Sequence, residues 1–116
     1  MNNTANIQVV QGDILARTFT FTDTDTGDPY DLSIYTEVKM QIRKKPGTTL
    51  IAEGSLTDGQ FAITGDDNNV LEMEGITIPE DTTAGVYMYD IEFSATDIRE
   101  TLIRGRIIVQ EQITTL

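Results

Sequence analysis

Apolar and polar residues alternate over short stretches in much of this chain. The clearest stretch is 37–43, where the alternating apolar residues are Val38, Met40 and Ile42 and the residues between them are charged or polar. Successive side chains of a β-strand point to opposite faces. The segment therefore predicts a strand with one apolar and one charged face.

The same alternation of apolar and polar residues recurs at intervals along the 116 residues. Further strands are predicted over 7–10, 14–22, 50–52, 60–63, 70–73, 86–93 and 101–110. Turn residues separate them, for example Gly12-Asp13 and Asp58-Gly59. Many short strands with this spacing predict one all-β domain over 1–116, an immunoglobulin-like β-sandwich of about 7–9 antiparallel strands. A small barrel is the alternative.

The segment 84–89 favours the sandwich. Gly85 precedes Tyr87 by two residues at the start of a late strand, as in the tyrosine corner of immunoglobulin-like domains. The aromatic residues predicted to lie in the core are Phe19, Phe21, Tyr87, Tyr89 and Phe93. Tyr30 and Tyr35 fall in a loop and are expected at the surface. The chain has no cysteine and no tryptophan, so the antibody disulfide and core tryptophan are missing.

An immunoglobulin-like order would place 37–43, 86–93 and 101–110 in one sheet, with 86–93 in the centre. Their outward residues then form a candidate partner-docking face of Lys39, Arg43, Asp90, Glu92, Arg104 and Arg106. The charges would run positive, negative, positive across the strands, each opposed pair contributing about 0.2–1 kcal/mol. The alternative is a solvated face that compensates its own charges. Charge reversal by Arg104→Glu with Arg106→Glu is expected to impair assembly and leave the fold intact.

The net charge is -11, from 19 acidic and 8 basic residues. Such a chain repels phosphate backbones and anionic lipid surfaces, so we expect neither nucleic acid nor membrane as a partner. The first six residues show no signal-peptide pattern.

The chain lacks the residues that most enzymes depend on. It has no histidine for proton transfer and no glycine-rich nucleotide motif, and we expect neither catalytic residues nor a bound cofactor. Glu72 and Glu74 share a strand face and are expected in solvent. The run from Asp23 to Asp28 begins like a calcium loop, but Ile34 stands where the final glutamate belongs. We expect it, like Asp66 to Asn69, to be a polar turn without metal.

Three segments in the same order resemble small immunoglobulin-like β-sandwich proteins from the virions of tailed bacteriophages. They are Gly12-Asp13 before Phe19–Phe21, Thr26–Leu32 leading to Val38–Arg43, and Ala84–Glu92 with Gly105–Val109 near the end. The chain is similar to the N-terminal attachment module of baseplate upper proteins and to sandwich domains of minor tail proteins. The resemblance spans about residues 7 to 113.

The resemblance implies a non-enzymatic structural virion protein, made in the host cytoplasm. It would be an adaptor or decoration module that docks on the tail, baseplate or capsid. Its partners would be other phage structural proteins, in several copies on a symmetric assembly. Residues 1–6 and 111–116 would be extended arms that order on a neighbour. The alternative is a secreted or surface-exposed bacterial adhesive module that binds carbohydrate or calcium.

Overall fold

The strands account for most of the residues in this computed structural model, which describes residues 3–45 and 47–113. In chain order they are β1 Asn3–Thr4, β2 Ile7–Val10, β3 Ile14–Thr20, β4 Glu37–Arg43, β5 Leu50–Ser55, β6 Phe61–Thr64, β7 Val70–Thr77, β8 Gly85–Ala95 and β9 Ile98–Gln110. These ranges hold no helix, and so none able to cross a membrane.

The strands form two sheets. The larger sheet has the order β1-β9-β8-β4-β5, with β2 also on β9, and the smaller sheet has the order β3-β7-β6. The chain is therefore an all-β, immunoglobulin-like sandwich, as the sequence predicts. The predicted neighbours β4, β8 and β9 lie side by side with β8 between the other two.

The core lies between the sheets and follows from the period of two. Val38, Met40 and Ile42 of β4 are completely buried. Burying one such side chain contributes about 1.5–3 kcal/mol. Phe21, just after β3, meets Phe93 of β8 edge to face with ring centroids 5.7 Å apart, which joins the two sheets.

The tyrosine corner is confirmed. Tyr87 is buried near the start of β8, and its hydroxyl donates to the backbone carbonyl of Thr83, 2.6 Å away. This bond ties the loop before β8 to the strand itself. The Lys44 ammonium lies 4.9 Å from the centroid of the same ring, at cation–π distance.

The N-terminal segment corrects two predictions. Asn3 and Thr4 were expected in an extended arm, but they form β1, and both β1 and β2 pair with β9 in parallel rather than antiparallel. Between them, the Ala5 amide donates to the Arg104 carbonyl at 2.9 Å. The physical reason is that β9 would otherwise leave one side of its backbone without hydrogen-bond partners. At the other end, residues 111–113 follow β9 outside any strand, while the remaining arm residues, 1–2 and 114–116, lie outside the described ranges.

Tyr35 corrects the expectation of a surface aromatic. Its side chain is only 3% exposed, and its ring packs 5.3 Å from that of Phe93. The hydroxyl donates to the Glu100 carboxylate and lies 3.0 Å from the hydroxyl of half-buried Tyr30. Burial, followed by these hydrogen bonds, raises the pKa of Tyr35 well above its usual value. The loop folds its tyrosine inward because the carboxylate and the second hydroxyl satisfy its polar atom.

Candidate functional site

The candidate docking face is the outer surface of the larger sheet. Its predicted residues all come from β4, β8 and β9 and all point away from the core; they are Lys39, Arg43, Asp90, Glu92, Arg104 and Arg106. In the register of the strands, Lys39 is opposite Glu92 and Asp90 is opposite Arg104. The structure therefore brings the six residues together on one face.

The ion pairs on this face differ from the predicted pairing of opposite charges directly across the strands. Lys39 pairs with Glu53 of β5 at 3.8 Å, and Glu92 pairs with Arg99 at the start of β9 at 2.9 Å. Both pairs are solvent-exposed, so each is worth about 0–1 kcal/mol. Long side chains can reach a charged neighbour beside the residue directly opposite. A prediction from strand register alone does not include such neighbours.

The arginines of the face differ in how they are held. The Arg43 guanidinium donates to the Thr48 carbonyl at 2.5 Å and to the Gln41 side-chain oxygen at 3.3 Å. Within residues 3–45 and 47–113, the guanidinium groups of Arg104 and Arg106 have neither an ion-pair partner nor a hydrogen-bond acceptor. Arg43 is thus fixed in place, while the other two are available to a partner.

Apolar residues on the same face were missed by the sequence reasoning. Val86 and Met88 of β8 are 46% and 45% exposed, and Ile108 of β9 is half-buried opposite Val86. The signal was present, because the alternation that turns Tyr87 and Tyr89 inward turns Val86 and Met88 outward. A search for charged residues alone overlooks them.

A shallow depression of about 370 Å³ opens on this face. It is lined by Gln41, Arg43, Gly47, Met88, Tyr89, Asp90 and Arg104. Its wall carries two guanidinium groups and one carboxylate around the methionine. Such a depression can receive a single protruding side chain of a partner.

The acidic positions considered for calcium and for catalysis lie elsewhere. The Asp23 carboxylate accepts the backbone amide of Asp25 at 2.9 Å and so closes a turn. Glu72 and Glu74 are exposed on β7 in the smaller sheet. Among the residues that the structure describes, no group of three or more acidic, histidine or cysteine side chains is placed to hold a metal ion.

Comparisons with known proteins give only distant similarity. No protein-family profile and no curated protein matches the sequence. Among solved structures, Tim-1 matches over 100% of both chains with 10% identity and a TM-score of 0.38. The receptor NKp44 matches over 90% of this chain and 96% of its own, with 14% identity and a TM-score of 0.39.

A third similar structure is a family 123 glycoside hydrolase from Clostridium perfringens. It matches over 98% of this chain but only 24% of its own, with 18% identity and a TM-score of 0.41. The immunoglobulin-like class of this chain therefore depends on its own strand order and tyrosine corner.

Proposed function

We propose that this domain is a non-enzymatic, protein-binding structural component of a tailed-bacteriophage virion. It acts as an adaptor or decoration module that docks on the tail, baseplate or capsid. The observation that carries the proposal is the outer face of the larger sheet. There Arg104 and Arg106, which have no ion-pair partner among the described residues, border exposed apolar side chains. Methionine and arginine are both enriched at protein interfaces.

The virion setting is supported by the sequence segments described above. They include the end of β3 and parts of β4, β8 and β9, and so contain every residue of the candidate docking face except Arg104. Each copy would bury a modest area, and display of many copies on a symmetric lattice would make the assembly stable. The partners are other structural proteins of the particle.

The experiment is co-sedimentation of the purified chain with tailed-phage particles assembled without its gene. We expect the chain to sediment with the particles and to add density at symmetric positions in electron micrographs. The variant Arg104→Glu with Arg106→Glu keeps the fold, checked by circular dichroism, and loses this association.

The contrary outcome is a chain that stays in the supernatant at every particle concentration. Binding to glycans, or a melting temperature raised by calcium, would then favour the adhesive alternative.

A further inference from the structure

The outer face of the larger sheet divides into two halves with different electrostatics. In one half, around Lys39 and Glu92, the charges are compensated by Glu53 and Arg99. In the other half, Arg104 and Arg106 have no such partners within the described ranges, and Val86 and Met88 are exposed beside them. We infer, on the basis of the proposed function, that docking is confined to this second half, called the half face below. Its occupant is a partner segment with an apolar side chain flanked by carboxylates.

The geometry centres on Met88. In the strand register Met88 is opposite Arg43 on one side and opposite Arg106 on the other. Neighbouring strands lie about 4.8 Å apart, which puts the two arginine backbones about 10 Å from each other. An apolar side chain resting on Met88 and Val86 would have a guanidinium on each side. Guanidinium groups bind carboxylates with two parallel hydrogen bonds. The arginines beside Met88 therefore favour a partner segment in which acidic residues flank the apolar side chain.

Charge complementarity limits this docking to one surface of the molecule. The chain carries a net charge of -11, so an acidic segment is repelled over most of the surface. On the half face, Arg104 and Arg106 offer it two guanidinium groups without an ion-pair partner or hydrogen-bond acceptor among the residues described. Arg43 adds a third positive charge, but its guanidinium already donates to Thr48 and Gln41. Asp90, opposite Arg104, lies at the border of the half face. Its own carboxylate disfavours partner carboxylates placed further along β8.

A second copy of this chain fits the half face less well. In a two-fold contact the same patch meets itself, which would bring guanidinium groups against guanidinium groups. The general repulsion between two chains of charge -11 acts in the same direction. The occupant is therefore a different protein.

The test is titration of the isotope-labelled chain, followed by amide chemical shifts, with an acetylated, amidated glutamate-leucine-glutamate peptide. The lysine-leucine-lysine peptide of the same length is the control probe. We expect saturable shifts with millimolar affinity for the acidic peptide only, at the amides of 86–90 and 104–108. Shifts spread over Lys44 and Lys45, or none at millimolar peptide, would overturn the inference.

Matched variants separate the two halves. Arg104→Gln with Arg106→Gln removes two positive charges, and we expect affinity to fall at least about tenfold, since hydrogen bonds to charged groups are lost. Lys39→Gln with Arg99→Gln removes the same charge from the compensated half and should change affinity less than about twofold. Equal loss in both double variants would show a general charge effect and contradict the inference.

The apolar contact has its own control. Met88→Ala should weaken the acidic peptide severalfold, whereas Ile98→Ala, which trims an exposed side chain outside the half face, should not. Shifts at 86–90 that depend on protein concentration without peptide would identify a second copy as the occupant and overturn the choice of partner. Particle co-sedimentation that survives Arg104→Gln with Arg106→Gln would leave the virion proposal standing and remove only this inference.

Discussion

Of the glycines in the described ranges, Gly105 leaves the least room for a side chain. A Cβ atom there would lie 1.9 Å from the backbone carbonyl oxygen of Ala5, which lies alongside β9 between β1 and β2. The same oxygen accepts the Tyr89 hydroxyl at 2.5 Å, and burial raises the pKa of Tyr89 to about 12. The obstacle is backbone held on two sides, so no side chain can move out of the way.

Gly105→Ala should therefore detach the N-terminal strands locally. We expect a loss of about 2 kcal/mol or more in the free energy of unfolding, the range typical of overpacking. Urea denaturation measures the loss, and hydrogen exchange at the amides of Ala5 and Arg106 locates it. Tyr89→Phe removes the hydrogen bond without a clash and should cost about 1 kcal/mol. A Gly105→Ala variant as stable as the parent would disprove the close approach of the Ala5 carbonyl to Gly105.

At the scale of elements, Glu37 fastens the start of β4 to the turn that follows β5. Its carboxylate accepts the Val38 amide at 3.0 Å, the Thr57 amide at 3.1 Å and the Thr57 hydroxyl. Burial acts to raise the pKa of Glu37, but these hydrogen bonds outweigh it and lower the pKa below the usual 4.5. The ionised carboxylate thus stabilises the native state at pH values above 4.5, and this contribution is lost as the pH falls through the lowered folded value.

Glu37→Gln should show this pH dependence. At pH 7 we expect the variant to be less stable by about 1 kcal/mol, because one charged acceptor is replaced by a neutral amide. The difference should shrink as the pH falls below 4.5, measured by urea denaturation at several pH values. The control is Glu53→Gln, whose exposed pair with Lys39 makes little difference at any pH. A pH-independent deficit in Glu37→Gln would exclude the ionised carboxylate as its cause.

Strand prediction succeeded where apolar and polar residues alternate over enough positions for the pattern to be recognised. β2 and β4 have the predicted ends, whereas β7 continues through Gly75 to Thr77, beyond its predicted end at Met73. Gly75 has a positive φ, and the strand resumes pairing with β3 after it, opposite a register shift between Leu15 and Ala16. β1 has only two residues, so no period exists to detect. Its pairing is set by the free edge of β9, which lies 100 residues further along the chain.

At the scale of the whole molecule, the excess of negative charge opposes folding into a compact state. The net charge of -11 concentrates like charges on a small surface, which destabilises the folded state at low ionic strength. The six face residues were predictable because alternation and strand order together determine what points outward. Their ion pairs were not, since these depend on Glu53 and Arg99, which approach from the side.

Added salt should therefore stabilise this protein. Raising ionic strength from about 0.01 M to about 0.15 M shortens the Debye length from about 30 Å to about 8 Å. We expect the melting temperature to rise by a few degrees, corresponding to about 1 kcal/mol. Asp66→Asn with Asp67→Asn, in an exposed turn, should reduce that rise. A melting temperature that falls with sodium chloride would show that repulsion among the acidic side chains does not control the salt response.

The parallel pairing at the N-terminus has a mechanical consequence. Asn3 lies beside Ile103 and Val10 beside Gln110, so the first and last strands run in the same direction. A tether attached ahead of Asn3 and another attached after Gln110 leave from opposite ends, about 23 Å apart at roughly 3.3 Å per residue. Tension between them acts along β2 and β9 and loads their hydrogen bonds together instead of opening them one after another. A pull between the two ends therefore loads the β2–β9 pair in shear.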